Sequence, residues 1–450
     1  MRRSRLDDVA ARLGGRLIGP SGWASGVITD SRLASRETLF FALRGQRSDG
    51  HDHAAEALGR GSSAVVVEEG RVQLEPRIEV RDPLAALAGL AATERSASSA
   101  HVVAITGSTG KTTTKDLLVS ILSLAGPTHA SPESFNNHVG VPTTLLGAAS
   151  DPAFFVCEMG AGAEGEIADY CRIARPDSGI VTNVGQAHLA TFGSVDSIAR
   201  AKREVVEALA DDGLAVLNRD DPRVIAFSRG LRSRIVTFGR SRAADVRATC
   251  VRLGADARAR FTLVTRQGAV PVVLPLPGAH MVPNALAASA AALGLGLTPV
   301  QCAEGLRAAK TSRWRMQRSV TPSGVRLLND AYNSSPPSAR AALTTARLMA
   351  GSGRLIAVIG EMAQLGPESA REHRSLGRFA SELPVDRLIT VGASARAIWS
   401  VATDRGIAAS HSEDLDGVDA TLEAMCRPGD VVVLKASRSA GFERIAAALS

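Results

Sequence analysis

The chain has 450 residues, 45% of them apolar and 4% aromatic, too many for one hydrophobic core, so about three aliphatic-cored domains are expected. Its 52 Lys and Arg against 45 Asp and Glu leave a net charge of +7, but the basic residues form no block and no interleaving with aromatics. That excludes a nucleic-acid-binding stripe and points to an anionic small substrate. The N-terminus, Met1 to Asp8, places acidic residues where a secretion signal needs an apolar stretch, so a cytoplasmic protein is expected. The cysteines, Cys157, Cys171, Cys250, Cys302 and Cys426, are odd in number and never in a C-x-x-C arrangement, which excludes a disulfide framework and a zinc site.

In chain order, short strands at 39–43 and 64–67 flank a turn-rich stretch, Arg44 to His53, within a compact α/β unit. Arg95 to Ala100 has linker composition. An apolar run, His101 to Ile105, then leads into Gly107, Ser108, Thr109, Gly110, Lys111, Thr112 and Thr113, and a helical pattern follows from Asp116. Strand, glycine loop and helix in that order form a phosphate cradle. Gly107 and Gly110 allow close backbone approach, Lys111 reaches terminal phosphates, and the Thr112 hydroxyl can ligate Mg²⁺. The usual P-loop pattern wants a glycine where Ile105 stands, and a threonine-capped glycine turn is the non-functional alternative. Further strands at 154–159, 179–184 and 215–217, alternating with helical patterns, indicate a mainly parallel sheet. From Val246 the texture becomes an antiparallel appendage, and Asn284 to Val300 reads as a buried helix with no membrane span. After Trp314 a second α/β series has strands at 325–329, 355–359, 387–391 and 431–434.

Polar residues fall at the carboxyl ends of the central strands, where open parallel sheets bind ligands. Glu158 ends one strand and His188 follows another; together they could complete a Mg²⁺ shell, while a cap or a structural histidine are the alternatives. Lys202 lies in a helical pattern and, on periodicity alone, is a surface lysine.

T-G-S-T-G-K-T-T at 106–113, E-S-F-N-N-H-V-G-V-P at 133–142, E-M-G-A at 158–161, T-N-V-G-Q-A-H-L at 182–189 and A-K-R-E-V-V-E-A-L at 201–209 resemble, in order and spacing, the Mur ligases of bacterial cell-wall synthesis. Within that family I-T-D-S-R at 28–32, L-F-F-A-L-R-G at 39–45, D-G-H-D at 49–52, N-D-A-Y-N-S-S-P at 329–336 and K-A-S-R-S-A-G-F-E-R at 435–444 resemble the branch that joins D-alanyl-D-alanine to UDP-N-acetylmuramoyl-tripeptide. The resemblance implies three α/β domains. These are a small substrate domain over residues 1–97, a central parallel-sheet P-loop ATPase domain with an antiparallel appendage over 98–313, and a Rossmann-like domain over 314–450 that binds the dipeptide and closes on ATP. It implies an ATP-dependent amide ligation through an acyl phosphate, by a monomer.

Carried over by position, Thr112 and Glu158 are expected to hold Mg²⁺, His188 a second metal, and Lys202 to carry a carbamate that turns a cation into a two-oxygen ligand. Asn136 and Asn137 are expected near the γ-phosphate, Asn284 at adenine, Arg315 at the γ-phosphate, Asp330 at the ribose, and Tyr332 and Asn333 beside the nucleotide. For Asp330 to Pro336, a strand-to-helix turn would select the same residue types. Ser31, Arg32 and the Gly45 to His51 loop, with Asp49, are expected to grip the UDP part, and Lys435, Ser437, Arg438 and Phe442 the dipeptide. Met281 stands where family members often have Asn or Gln. Glu361 to Ser369, followed by His373, is a further family signature with no assigned role. Three rivals remain at this point: a sister ligase of the Mur or folylpolyglutamate type, a P-loop switch or transport ATPase, and a catalytically silent precursor-binding protein.

Overall fold

The computed structural model describes residues 1–45, 48–148, 151–186 and 189–449. Three main sheets follow one another along the chain. In the first, the strands Arg16–Ile18, Arg77–Val80, Ala64–Glu68, Thr38–Phe41 and Gly26–Ile28 lie side by side in that order, parallel except for the Arg16–Ile18 edge.

The central sheet has nine strands: Gly268–Pro277, Arg258–Thr265, Val246–Leu253, Arg234–Gly239, Leu214–Asn218, Ser178–Val181, His101–Thr106, Phe154–Glu158 and Thr128–Ala130. The last seven run parallel and the first two turn antiparallel. The apolar run of His101–Thr106 is explained by burial on both faces. Val103 and Ile105 pack with Leu117 and Ile121 of the helix Lys111–Leu122 and with the alanines of Met281–Gly294. Val102 and Ala104, one residue out of phase, pack with Ile167 of Glu166–Ala174 and with Ile198 and Val205 of Val195–Glu207. The sheet is therefore covered on both sides, and the chain leaves the carboxyl end of His101–Thr106 directly into the glycine loop. In the third sheet Gln317–Val320, Arg326–Asn329, Val431–Lys435, Leu355–Gly360, Arg387–Val391 and Ala409–Ser412 lie in that order, parallel except at the Gln317–Val320 edge.

The expected antiparallel appendage is present as the strands Val246–Leu253, Arg258–Thr265 and Gly268–Pro277, which continue the central sheet. Two sequence expectations are corrected. The helix expected over 284–300 is two, Met281–Gly294 and Pro299–Ala308. Gly296 turns with φ +95°, and Thr298 starts the second helix through a capping box with Gln301. The linker expected from Arg95 begins instead inside the helix Pro83–Ser96. There the Arg95 guanidinium, nearly buried, donates to the carbonyls of Ala174, Arg175 and Ser98 and to Asp177, tying the first sheet's helix to the central one. Among the described residues no helix is long and apolar enough to cross a membrane.

Candidate active site

The loop between His101–Thr106 and Lys111–Leu122 is shaped by two glycines in backbone regions that side chains avoid, Gly107 at φ +146° and Gly110 at φ +81°. A Cβ on Gly107 would lie 1.8 Å from Thr182 Oγ1, and one on Gly110 would lie 2.2 Å from Asn284 Oδ1. Neighbouring strands hold the loop. Asn183 Oδ1 accepts from the Thr109 amide at 3.0 Å, Thr182 Oγ1 donates to the Thr109 carbonyl at 2.6 Å, and the Ser108 hydroxyl meets the Gly185 amide at 2.8 Å. Lys111 Nζ folds back to the Gly107 carbonyl at 2.8 Å. Burial pushes its pKa down; Glu158 opposes that shift and Arg315 adds to it, so these three charges act on one another.

At the neighbouring strand end the Thr112 hydroxyl donates to Glu158 Oε2 and Asn136 Nδ2 donates to Glu158 Oε1, both at 2.7 Å. Glu158 is 1% exposed, so its carboxylate is held by these polar groups inside the fold. Thr113, next along the helix, is also buried. The two asparagines are separated by the structure. Asn137 Oδ1 accepts from the amides of Val139 and Gly140 and so caps the helix Gly140–Leu146, leaving Asn136 as the one that reaches the carboxylate.

Lys202 is 2% exposed, against the surface position its periodicity implied. Burial, and then the charge of Lys111, bring its pKa to about 7. Much of its amine is therefore neutral near pH 7 and nucleophilic. His188 lies outside the described residues.

At the junction with the third sheet, the Arg315 guanidinium stacks 4.2 Å from the centre of the Tyr332 ring, and its buried Nε finds no hydrogen-bond partner among the described residues. The Tyr332 hydroxyl bonds Ser134, two residues before Asn136. Asn284, 8% exposed, packs on Gly110 from the first turn of Met281–Gly294. Asp330 accepts from the Met316 amide at 3.0 Å and from Lys435 Nζ at 2.6 Å, and Lys435 also donates to the Asn333 carbonyl at 2.5 Å.

Lys435, expected at the dipeptide, is thus 2% exposed and bonded to Asp330 and Asn333, the residues expected beside the nucleotide. Phe442, expected at the dipeptide as well, is fully buried in the core of the third sheet against Gly360. Ser437 braces a loop by accepting from the Ala363 amide at 2.9 Å. Arg438 lies 4.4 Å over the Trp314 ring and pairs with Glu443 at 2.6 Å. Replacing Lys435 with methionine leaves the nearly buried Asp330 carboxylate without its counter-ion, and a loss of about 3–5 kcal/mol is expected in urea unfolding.

In the first domain His51 is buried. Its Nδ1 donates to Asp49 at 2.5 Å while Nε2 accepts from the Glu68 amide at 3.1 Å. Hydrogen bonds from the His51 amide and ring, with Arg71 beyond, hold the Asp49 carboxyl down at about 2. Gly45 donates its amide to the Ser48 carbonyl; residues 46–47 of that loop lie outside the described residues. A cavity of about 310 Å³ opens here between the first and central domains, with Arg44, His51, Arg81 and His138 on its walls. Ser31, which donates to Glu56 at 2.8 Å, and Arg32, which pairs with Asp30, are not on those walls.

Sequence reasoning missed the supports. Lys115, 3% exposed, donates to the carbonyls of Ser131 and Glu133 and so holds the segment that presents Asn136; the Ser131 hydroxyl accepts from the Glu158 amide at 3.0 Å. Asn183 lies in T-N-V-G-Q-A-H-L, and its position just past the strand Ser178–Val181 was the available signal.

Comparison with known proteins agrees with this layout. Family models match over residues 24–95 (Mur ligase family, catalytic domain), 105–292 (Mur ligase middle domain) and 314–438 (Mur ligase, glutamate ligase domain). The UDP-N-acetylmuramoyl-tripeptide–D-alanyl-D-alanine ligase of Mycobacterium tuberculosis is 39% identical, with 93% of this chain and 91% of that protein covered. Among solved structures, MurF from Acinetobacter baumannii superposes with a TM-score of 0.89 at 31% identity, covering 100% and 99% of the two chains. MurF from Thermotoga maritima, solved in complex with ADP, gives 0.80 at 27% identity, covering 95% and 97%. Three successive family models and a relative aligned over nearly the whole length agree with the three-sheet fold: the chain belongs to the Mur ligase family.

Proposed function

We propose that the protein joins D-alanyl-D-alanine to UDP-N-acetylmuramoyl-tripeptide at the expense of ATP. The observation that carries this reading is the cluster at one end of the central sheet. Lys111, the Thr112–Glu158–Asn136 set, the buried Lys202 and the junction residues Arg315 and Asp330 all belong to it, in a chain aligned end to end with ligases of that name. A switch or transport ATPase would use the glycine loop but gives no reason for a buried lysine of pKa about 7 beside it.

In the proposed reaction an oxygen of the tripeptide carboxylate attacks the γ-phosphorus of ATP and ADP leaves. The dipeptide amine then attacks the acyl carbon, loses a proton and expels phosphate as the amide forms. The difficulty is that two anions must approach. Lys111, the loop amides and the unpaired Arg315 Nε supply the opposing charge from fixed positions. Tyr332, bonded to Ser134 across the junction, keeps the third domain on the nucleotide so that reactants are aligned and water is excluded.

The donor chemistry fits Mg²⁺, a hard cation that takes a hydroxyl and one or two carboxylates and fills its remaining positions with phosphate oxygens and water. Thr112 and Glu158 would hold it, with His188 and a carbamylated Lys202 at a second position. The ion supplies charge neutralisation to the phosphates when bound. The amine of Lys202, partly neutral near pH 7, suits reaction with CO₂ to form that carbamate. Residues 1–97 would receive the UDP part at the Arg44, His51 and Arg81 cavity. Residues 98–313 would bind ATP, and 314–450 would present the dipeptide near Ser437 and Arg438. We place the enzyme in the cytoplasm, as a monomer.

A ligation panel tests the substrate assignment. ATP is offered with tripeptides bearing meso-diaminopimelate or L-lysine, and with D-alanyl-D-alanine, single amino acids or glutamate. Product with the dipeptide alone supports the reading, and product with a single amino acid would move the chain to a sister ligase.

A further inference from the structure

The segment Glu361 to Glu368 follows the strand Leu355–Gly360 and reaches two places at once. On its own domain it is braced by hydrogen bonds at Glu361, Met362 and Ala363. The Met362 amide donates to His373 Nε2 at 3.0 Å, and His373, fully buried, donates from Nδ1 to the Ser369 carbonyl at 2.7 Å. The Ala363 amide donates to Ser437 Oγ, the Ser437 amide donates to the Glu361 carbonyl at 3.0 Å, and Glu361 Oε1 accepts from the Ser394 amide at 2.6 Å. Met362 and Leu365 are 2% and 4% exposed, so the loop is anchored by packing as well. Four polar braces at Glu361 to Ala363 fix its first half to the third domain, and the buried side chains of Met362 and Leu365 carry that anchoring toward the turn.

Its far end meets the central domain. The turn Gly366–Glu368 rests on the short helix Leu189–Phe192, where a Cβ on Gly366 would lie 3.0 Å from Ala190 Cβ and 3.2 Å from Ala190 Cα. Carbon atoms prefer about 3.5–4.0 Å. Gly366 is also left-handed, at φ +56°. Leu189–Phe192 lies between His188 and the helix Val195–Glu207 that carries Lys202.

We propose that the Glu361–Glu368 loop is a positioning element that ties Ser437 to the Leu189–Phe192 helix, so that the dipeptide end and the metal end of the reaction are set by one rigid segment when the third domain closes. Gly366 is then a positioning residue whose missing side chain lets the two domains meet. This rests on the reading given under Proposed function.

The test compares Gly366→Ala with Gly351→Ala. Gly351 lies in the same domain at φ +59° and ψ −117°, and its added Cβ would meet nothing within 4 Å, so its alanine variant carries backbone strain of its own without a contact like that with Ala190. Both are expected to lower Tm. Gly366→Ala is expected to lower kcat for ligation by about tenfold to a hundredfold, with KM for ATP and for D-alanyl-D-alanine within about threefold of wild type. Gly351→Ala should keep wild-type kcat. Adding Ala190→Gly to Gly366→Ala should restore most of the lost kcat. If an active wild type is accompanied by Gly366→Ala with the kcat of Gly351→Ala, or if Ala190→Gly restores nothing, the positioning role is overturned while the ligase reading stands. A wild type that ligates no D-alanyl-D-alanine removes both.

Discussion

Lys111→Ala is expected to lower ligation by about a thousandfold or more while leaving Tm within a few degrees of wild type. Among the described residues Lys111 Nζ makes one hydrogen bond, to the Gly107 carbonyl, and burial together with Arg315 already disfavours its charge. Its removal therefore takes little from the fold. What is lost is a cation fixed where phosphoryl charge develops, a role no freely moving ion in water can reproduce. Single-turnover product formation and a thermal melt on the same preparation check both halves. Retained ligation would remove the glycine loop from the reaction.

The second large effect is at Lys202. Lys202→Ala is expected to abolish ligation, with partial return when short carboxylic acids are added to stand in for the carbamate. Lys202→Met should also be inactive, yet more stable than wild type in CO₂-free buffer without nucleotide or divalent cation. The sign follows from the pKa, which burial lowers to about 7 in the fold from an ordinary 10.5. A lowered lysine pKa means the folded state binds its proton more weakly than the unfolded state. Below pH 7 both states are protonated and the burial cost is at its fullest. Between pH 7 and 10.5 the folded amine is neutral, the cost shrinks at about 1.4 kcal/mol per pH unit, and above 10.5 it is gone. The advantage of methionine in Tm should therefore be largest below pH 7 and fade as pH rises toward 10.5. An advantage that grows with pH, or full activity in Lys202→Ala, would contradict the assignment.

The glycine loop was legible because a phosphate cradle imposes its own spacing between a strand and a helix, and the three-domain α/β fold was legible because doubly covered parallel strands are continuous apolar runs. The strand Arg258–Thr265 was not. Its arginines hid a plain alternation in which Ala259, Phe261 and Leu263 are buried. Periodicity alone places Lys202 on the surface, although Ile198, Val205 and Val206, its neighbours at helical spacing, are all buried. The apolar face is visible in the sequence, and Lys202 lies on it. Lys115 was hidden in the same way, beside the buried Leu118 and Leu122. The pairing of Lys435 with Asp330 joins residues 105 positions apart, and only the adjacency of the strands Arg326–Asn329 and Val431–Lys435 brings them together. The split roles of Asn136 and Asn137 likewise depend on which one faces Glu158, a matter of local backbone path that composition does not carry.

The most direct test of the account is the stoichiometry of the complete reaction. Wild-type protein is incubated with ATP, Mg²⁺, UDP-N-acetylmuramoyl-tripeptide and D-alanyl-D-alanine, and phosphate release is measured beside the mass of the nucleotide product. The account predicts one phosphate released for each precursor that gains the dipeptide less one water, with neither appearing when the tripeptide or the dipeptide is omitted. Phosphate release that continues without them, or ATP binding with no change in precursor mass, would contradict it.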